Sequence, residues 1–367
     1  MVYYTGGAEV GSEPECMQRV VRFGLVGAGE IGKLRAAALR HVPGCRLEAV
    51  ADADGSRAGA SARSSGARTF DDYRRMLGES PLDAVIVSTP PDQHEKVALA
   101  ALEAGKHVLC EKPLAPTVEG CRRILECARR HGRSLATGFN QRYFPAIQFV
   151  KQVLGRGDLG HLRHVKAYAG HSGLKEFRQP WEHDSQVIGG GTLMDNGIHL
   201  IDHVRFLLGE IEEVYGVASS EIWNLNGSED NGFALLRGEN GRIATLHSSW
   251  SEWRGYRFSI EAYGDRGVAR ASYGPMMATA VRLEQPGGPA RRERKLYPWI
   301  AVREKLRGWQ STVRLTFEQE LRDFLGLLEG KPGAIADGVA GLRAVEIAHA
   351  VYASSESHSP VKLAREV

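Results

Sequence analysis

A lysine and a carboxylate–imidazole pair are the residues of this sequence best suited to moving a proton. Lys112 stands between Glu111 and Pro113, directly after an apolar stretch that is typical of a buried strand. Asp195 and His199 are four residues apart, so an α-helix would place both side chains on one face. An imidazole titrates near neutral pH and can exchange a proton with a hydroxyl group. We therefore predict a site of acid–base chemistry at these residues.

The helix that would carry Asp195 and His199 follows three glycines. Thr192 is a residue type that caps helix N-termini and Gly209 one that ends helices, so we predict a helix between them. Asp202 continues the helical spacing and is predicted to share the face of His199. Glycines before a helix allow a ligand to come close. The structural alternative is an exposed helix on which neighbouring acids merely satisfy the imidazole.

A zinc site is the competing chemical interpretation of this helix. His199 and His203 are four residues apart, as they are in some zinc sites. Leu200 stands where an HExxH motif has its glutamate, and no cysteine lies nearby. We therefore predict no metal.

A glycine-rich turn, Gly27–Gly32, is the clearest ligand-binding motif. It lies between a predicted strand, Val20–Val26, and a predicted helix, Ile31–Arg40. At such a turn, backbone N–H groups can approach a pyrophosphate at the positive end of the helix. A second predicted strand ends at Asp52, whose carboxylate can accept the ribose hydroxyls of NAD and would repel a 2′-phosphate. We therefore predict dinucleotide binding, with NAD preferred.

Short apolar runs alternate with helical segments up to Thr137, which indicates a doubly wound parallel sheet, that is, an α/β Rossmann domain. The loops that follow such strands share one edge, where ligands bind. After Phe139, short strands and hairpin turns such as Asn240-Gly241 indicate an α+β domain with a large, open, mainly antiparallel sheet. We predict a flexible extension over residues 1–19, the dinucleotide-binding domain over 20–140, and a substrate-binding and oligomerisation domain over 141–367.

Composition argues against several other classes of protein. The chain has 367 residues and a formal net charge of +3, so neither a nucleic acid nor a membrane surface is an expected partner. No stretch approaches the ~20 apolar residues that span a bilayer. The five cysteines form no CxxC pair and suggest free thiols, which favours a reducing, cytoplasmic location. The loop Gly170–Gly189 combines basic and aromatic residues, among them Lys175, Arg178 and Trp181. It could surround a sugar ring, with its two basic residues indicating an anionic group on the substrate, or it could equally be a mobile surface excursion.

Taken together, these motifs make the chain resemble the glucose–fructose oxidoreductase / inositol dehydrogenase / MocA (Gfo/Idh/MocA) family from about Val20 to Leu363. The motifs that carry the resemblance are Gly27–Gly32, Thr89-Pro90-Pro91 with His94, Glu111-Lys112-Pro113, the Gly189–His199 segment with Leu207-Leu208-Gly209, and Asp337-Gly338 with Arg343-Ala344. The resemblance implies NAD(P)-dependent hydride transfer at a carbinol or keto carbon of a small-molecule polyol, sugar, nucleotide sugar or cyclitol.

The resemblance also implies roles for single residues. His199 is expected to act as general base, with Asp195 orienting its ring and Lys112 stabilising the substrate oxygen. Expected cofactor contacts are Gly27, Gly29, Glu30, Ile31, Gly32, Asp52, Arg57, Thr89, Pro90, His94, Glu111 and Lys112. Expected substrate contacts are Lys112, Arg142, Trp181, Asp195, Asn196, His199 and Asp202.

Three alternatives stay open at this point. Some relatives with this fold bind the dinucleotide as non-catalytic sensors, although those typically lose the lysine or the histidine that this chain retains. The acids at Asp52 and Asp54 favour NAD, whereas Arg57 leaves NADP as an option. Assembly through the second-domain sheet is usual in the family and implies a homodimer or a homotetramer.

Overall fold

The amino-terminal part of the chain forms a sheet of parallel strands with helices on both faces. The computed structural model describes residues 20–175, 177, 179–225 and 227–364; the predicted extension over residues 1–19 lies outside them. The elements are β1 (Val21–Val26), α1 (Glu30–Leu39), β2 (Cys45–Ala51), α2 (Gly55–Ala62), β3 (Arg68–Phe70), α3 (Tyr73–Glu79), β4 (Ala84–Val87), α4 (Pro91–Glu103), β5 (His107–Glu111), α5 (Val118–Arg130) and β6 (Leu135–Gly138). All four residues of β4 are buried, as expected for a central parallel strand.

The second part begins with a 3₁₀ turn, Asn140–Tyr143, and is built around a large sheet. Its elements are α6 (Pro145–Gly155), β7 (Leu162–Gly170), α7 (Ser185–Ile188), a π-helical turn (Leu193–Gly197), α8 (Ile198–Leu208), β8 (Ile211–Ser219), β9 (Asn231–Gly238), β10 (Ile243–Ser249), β11 (Arg257–Gly264), β12 (Gly267–Tyr273), β13 (Met277–Leu283), β14 (Ala290–Leu296), α9 (Pro298–Arg307), α10 (Gln310–Leu328), β15 (Ala336–Asp337), α11 (Gly338–Ser357) and β16 (Val361–Lys362).

The strand orders confirm the predicted fold class. The first sheet runs β15-β6-β5-β4-β1-β2-β3, with only β15 antiparallel to its neighbour, and the second runs β14-β13-β12-β11-β7-β10-β9-β8-β16. In the second sheet β7 and β10 are parallel neighbours, whereas the other adjacent strands are antiparallel. Asn240 and Gly241 both have positive φ and turn the chain between β9 and β10, as the hairpin prediction requires.

Helix α10 returns to the first sheet and packs against α1. Phe317, Leu321 and Phe324 of α10 share a buried cluster with the β1 residues Phe23 and Leu25. The short strand β15 then extends the same sheet beside β6. The carboxyl-terminal segment is therefore part of the packing of the first sheet, and the predicted division at residue 140 stays a sequence-based prediction.

A buried arginine joins α1, α10 and the end of β5. Arg35 is completely buried, and its guanidinium lies 3.6 Å from the centre of the Phe317 ring. Its Nε donates to Glu111 Oε1 at 2.7 Å, and its Nη1 donates to Glu320. Burial raises the pKa of Glu320 to about 7, against the lowering effect of the Arg35 charge. The arginine therefore compensates two carboxylates where α1, α10 and the end of β5 meet.

Replacing Arg35 by alanine is expected to destabilise the fold by about 3–5 kcal/mol, because Glu320 would lose its compensating charge in a buried position. The folded-state pKa of Glu320 would rise further above its unfolded value. A carboxyl raised in this way contributes stability at low pH that is lost as the pH rises. Urea unfolding should therefore show a larger deficit at pH 8 than at pH 5.5.

Arg123→Ala is the matched control, because its ion pair with Glu95 lies at the surface. We expect a much smaller loss of stability from this control, with little dependence on pH. An equal loss from the two substitutions would show that the Arg35 cluster is not a specific determinant of stability.

Candidate active site

The glycine-rich turn has the shape of a phosphate cradle. Gly27 has φ +88°, and a Cβ there would lie 2.5 Å from the carbonyl oxygen of Ser88. A Cβ on Gly32 would lie 2.0 Å from the carbonyl oxygen of Gly27. A Cβ on Gly29 would meet nothing within 4 Å, and no side chain caps the N-terminus of α1. The turn thus combines open space with uncapped N–H groups, which fits a dinucleotide pyrophosphate.

Asp52 lies against this turn. Its Oδ2 accepts a hydrogen bond from the backbone N–H of Ala28 at 2.6 Å, and its Oδ1 accepts from the N–H of Asp54 at 2.8 Å. The Arg57 guanidinium lies 3.2 Å from the Asp54 carboxylate. Arg57 is therefore directed to a neighbouring acid, while Asp52 is held against the glycine-rich turn, and its predicted contact to the ribose stays a prediction.

Two further predicted cofactor residues lie at the edges of the turn. Glu30 begins α1 and accepts a hydrogen bond at 3.2 Å from Gln310, the first residue of α10. Ile31 is half-buried against the core beneath α1. Both are in place beside the cradle, and their predicted contacts to the cofactor stay predictions.

His94 and Glu111 have partners that differ from the expectation. His94 is fully buried, with Nε2 2.9 Å from the carbonyl oxygen of Thr89 and Nδ1 2.8 Å from that of Pro113. Burial lowers the pKa of His94, and a neutral ring donates to one of these carbonyls at a time. His94 therefore holds the loops after β4 and β5 side by side, and both of its ring nitrogens lie against backbone carbonyls. Glu111 binds Arg35.

The Thr89 side chain and Pro90 stand where β4 passes into α4. Pro90 is the residue that precedes the first turn of α4. The hydroxyl oxygen of Thr89 is buried without a hydrogen-bond partner among the described residues, and so is that of Ser88 beside Gly27. Buried hydroxyl groups without partners are unfavourable, and these two belong to the segment that packs against Gly27 of the glycine-rich turn.

Lys112 reaches across from the first domain to Asp195 in the second. Its Nζ donates to the carbonyl oxygen of Asp195 at 2.8 Å and lies 3.5 Å from Asp195 Oδ1. Both side chains keep 23% of their surface exposed, so the pair is accessible to solvent. This contact places the lysine that follows β5 directly at the predicted catalytic helix.

The second oxygen of Asp195 is held by two donors that sequence reasoning missed. His171 Nε2 lies 2.9 Å from Oδ2, and Trp250 Nε1 donates to Oδ2 at 3.1 Å. The N–H of Gly173 donates to His171 Nδ1 at 3.0 Å, so Nδ1 is an acceptor and the proton of a neutral ring sits on Nε2. His171 therefore donates to the carboxylate.

The charge of Asp195 is strongly favoured in this environment. Burial alone would raise the pKa of its carboxyl group, but the positive charge of Lys112 and the hydrogen bonds from His171 and Trp250 lower it well below the ordinary value. Asp195 is an anion throughout the physiological pH range.

A π-helical turn separates Asp195 from His199, contrary to the predicted continuous α-helix. Leu193–Gly197 forms this wider turn, and the regular helix begins at Ile198. The extra residue in the turn changes the helical register, and no hydrogen bond joins Asp195 to His199. The expectation that Asp195 orients the His199 ring is therefore wrong; Asp195 binds Lys112, His171 and Trp250.

The predicted Thr192 cap is also wrong. The Thr192 hydroxyl bonds to the hydroxyl of Ser248 at 2.7 Å, while the N–H groups of Gly191 and Leu193 donate to the Glu229 carboxylate, each at 2.7 Å. A carboxylate at the positive end of a helix is favourable, and here it comes from the segment before β9. Burial raises the pKa of Glu229 to about 7, against these hydrogen bonds.

His199 is buried. It is 6% exposed, its Nδ1 has no hydrogen-bond partner among the described residues, and its ring meets Phe139 edge-on at 5.8 Å. Burial, followed by the charge of Lys112 and the neighbouring His203, lowers the pKa of His199 well below 6.5. The imidazole is therefore neutral and able to accept a proton. The described residues contain no group of three or more His, Cys, Asp or Glu side chains that could hold a metal ion.

Asp202 and Arg142 bind each other instead of facing the cleft. Arg142 Nε and Nη2 donate to the two carboxylate oxygens of Asp202 at 2.8 and 2.6 Å, and Nη1 donates to the carbonyl oxygen of Ala334 at 3.0 Å. Asp202 is completely buried. Because both carboxylate oxygens are occupied, the predicted substrate contacts of this pair have to be corrected to a structural ion pair.

Two further predicted substrate residues are Asn196 and Trp181. Asn196 is 8% exposed, and its Nδ2 is buried without a partner in the described part of the chain; its predicted substrate contact stays a prediction. Trp181 is half-buried in a 3₁₀ turn of the loop, Pro180–His183. Arg178 of the same loop lies outside the described residues.

Comparisons with known proteins identify the family of the chain. Residues 21–139 match the oxidoreductase family with an NAD-binding Rossmann fold, and residues 147–270 match the GFO/IDH/MocA C-terminal domain. The chain is 34% identical over 298 residues to an inositol 2-dehydrogenase of Saccharopolyspora erythraea, covering 79% of this chain and 83% of that protein. It is 29% identical to an inositol 2-dehydrogenase of Rubrobacter xylanophilus, covering 94% and 93%.

The fold is also similar to that of levoglucosan dehydrogenase solved with NADH and L-sorbose. The TM-score is 0.83 at 22% identity, over 95% of this chain and 100% of that one. Since the two family matches together cover more than half of the chain, the protein belongs to the Gfo/Idh/MocA family of NAD-binding oxidoreductases.

Proposed function

We propose that the protein transfers a hydride between NAD and a secondary alcohol or ketone carbon of a sugar, nucleotide sugar or cyclitol, with His199 as general acid/base. The observation that carries the proposal is the Lys112–Asp195 contact across the cleft, with the neutral His199 beside it. The relatives named inositol 2-dehydrogenase support a polyol as substrate. The bound NAD would accept the hydride.

The proton and the charge are handled by this chain's own residues. Removing a hydride from a carbinol carbon requires the attached hydroxyl to lose its proton, and the neutral His199 is suited to take it. The Lys112 ammonium group would donate a hydrogen bond to the same oxygen as its negative charge develops. Asp195, fixed by His171 and Trp250, would hold Lys112 in place. In the reverse direction His199 would return the proton.

Substituting the proposed catalytic side chains is the direct test. We expect His199→Ala and Lys112→Ala each to lower kcat by about 10²-fold or more, because a positioned proton acceptor or charge is lost. The Kd for NADH should stay nearly unchanged, because neither residue supports the phosphate cradle. Steady-state kinetics on a panel of cyclitols, sugars and nucleotide sugars measures kcat, and calorimetry measures the Kd for NADH.

Exposed residues of the same types supply the controls, Lys96→Ala on α4 and His41→Ala after α1, and both variants should have normal kcat.

Because burial lowers the pKa of His199, kcat/KM for oxidation should not fall between pH 8 and pH 6.5. Any fall in kcat/KM at lower pH that comes from protonation of His199 should disappear in His199→Asn. Near-normal turnover in both alanine variants would refute the assignment of these roles.

Asp52 is proposed to select NAD over NADP. Replacing it by asparagine keeps a side-chain acceptor for the Ala28 N–H but removes the charge that would repel a 2′-phosphate. We expect the ratio of kcat/KM for NAD to that for NADP to fall by about tenfold or more, the equivalent of ~1.4 kcal/mol. Asp71→Asn at the exposed side of the same domain is the control. An unchanged ratio would mean that another group sets the preference.

The outer face of the second sheet is proposed as the homo-oligomer interface. Neighbouring strands β8, β9 and β10 present a cluster of apolar side chains, each 44–49% exposed: Tyr215, Val217, Phe233, Leu235 and Ile243. Contiguous exposed apolar surface of this kind is unfavourable in water and marks interaction sites.

No helix of the described residues is long and apolar enough to cross a bilayer.

Leu235→Asp is expected to reduce the assembly to a smaller species, because it would place a charge in the centre of that face. Val302→Asp, at an exposed apolar position of α9, is the matched control and should leave the mass unchanged. Light scattering during size-exclusion chromatography measures both. Identical masses for the wild type and Leu235→Asp would exclude this face as the interface.

A further inference from the structure

Two tryptophans and a lysine lie next to the residues that hold Asp195, and we call Trp223, Trp253 and Lys175 the tryptophan ledge. The centres of the two indole rings are 5.9 Å apart with 56° between their planes, and Lys175 Nζ lies 5.7 Å from the centre of the Trp253 ring. None of these residues takes part in the proposed proton transfer. The ledge is therefore a separate group of side chains beside the catalytic centre.

The position of Trp223 is fixed by hydrogen bonds. Its indole N–H donates to the carbonyl oxygen of Trp250 at 3.0 Å, and its backbone N–H donates to Asp230 Oδ2 at 3.0 Å. The N–H of Ile222 donates to the same carboxylate oxygen at 2.7 Å. A ring held in this way offers a preorganised surface, which lowers the entropic cost of binding a ligand.

Gly173 connects the ledge to the catalytic carboxylate. It has φ +61°, and a Cβ at this position would lie 2.4 Å from Trp223 Nε1, so the indole packs directly on its backbone. The N–H of the same glycine donates to His171 Nδ1, and His171 in turn binds Asp195. Trp250 provides a second connection, since its indole N–H binds Asp195 and its carbonyl oxygen binds Trp223. The ledge thus borders the site where the substrate would react.

The exposure and charge of the ledge indicate what it would bind. Trp253 is 57% exposed, which leaves much of a large apolar ring in water. Lys175 is exposed and makes no ion pair within the described part of the chain. An apolar ring face beside one flexible donor suits a neutral ring that has C–H groups on its face and hydroxyl groups at its edge. A sugar ring has this chemistry.

A diphosphate group fits the ledge less well. It would require several free cations, and the nearby Arg254 is already bound by both carboxylate oxygens of Glu252, at 2.8 and 2.9 Å. Lys175 is then the one uncompensated positive charge among the described residues of the ledge and its hydrogen-bonded neighbours.

We propose that the tryptophan ledge is a subsite for a second sugar ring, joined by a glycosidic bond to the ring that reacts at Lys112 and His199. The substrate class is then a disaccharide or another glycoside, with the first ring in the cleft and the second stacked on Trp253. This inference rests on the proposed function, because it extends the same substrate site. It adds no chemical step to the reaction.

Calorimetric titration of the NADH-saturated enzyme tests the subsite without requiring turnover. The probes are D-glucose, D-galactose, D-xylose and myo-inositol, each compared with disaccharides that contain that ring: cellobiose, maltose, lactose, melibiose, xylobiose and galactinol. We expect at least one disaccharide to bind about tenfold or more tightly than its own single ring. Trp253→Ala should abolish this preference while leaving the Kd of the single ring unchanged, and Trp253→Tyr should retain part of it.

Trp299→Ala is the matched control, because Trp299 is similarly exposed, at 55%, but lies on α9. It should change neither Kd. The subsite is excluded if every disaccharide binds no more tightly than its single ring, or if Trp253→Ala weakens both to the same extent. Disaccharide binding through Trp253 without NAD reduction by any compound would keep the subsite and overturn the proposed function. Turnover of single rings, with no disaccharide bound more tightly than its single ring, would support the proposed function and exclude the subsite.

Discussion

The interaction on which the site depends is the compensation of the partly buried negative charge on Asp195. A carboxylate removed from water is stable only where donors and an opposite charge surround it. Here the charge comes from Lys112 in the first domain, and the hydrogen bonds come from His171 and Trp250 in the second. Because the three groups belong to different elements, satisfying one charge also fixes the positions of the two domain edges that form the cleft.

The parts of the site that could be predicted from sequence are those in which local pattern and position coincide. The Gly27–Gly32 turn is specified by neighbouring residues, and Lys112 by the strand that precedes it, so both lie at the predicted edge. The fold class follows from the same alternation of strands and helices. By contrast, β14 carries five charged residues out of seven and β3 has only three residues, so neither shows the pattern of a strand.

What the sequence could not reveal depends on contacts between distant segments. His171, Trp250 and Glu229 bind the segment Gly191–Asp195, which leads into the helix of His199, from other elements. Nothing in their local sequence distinguishes them from ordinary polar or core residues. Helical periodicity also led to a wrong prediction for Asp202. It shows which residues share a face of the helix, but it does not show that Arg142 binds both carboxylate oxygens of Asp202 on that face. The π turn changed the geometry again, because one additional residue rotates Asp195 relative to His199. In each case a tertiary interaction overrode a local preference.

The parallel pairing of β7 with β10 has a consequence for how the cleft can change during evolution. Gly170 and Ser249 are paired at the ends of these strands, and the next residues are His171 and Trp250. In a sheet whose other neighbouring strands are antiparallel, this one pair is parallel. Its two carboxyl ends therefore lie at the same edge, as they do at the ligand-binding edge of a Rossmann domain. Two carboxyl-terminal strand edges therefore face each other across the cleft. New loops can be inserted after these strands without altering the sheets beneath them, so a different substrate can be accommodated while the groups around Asp195 keep their places.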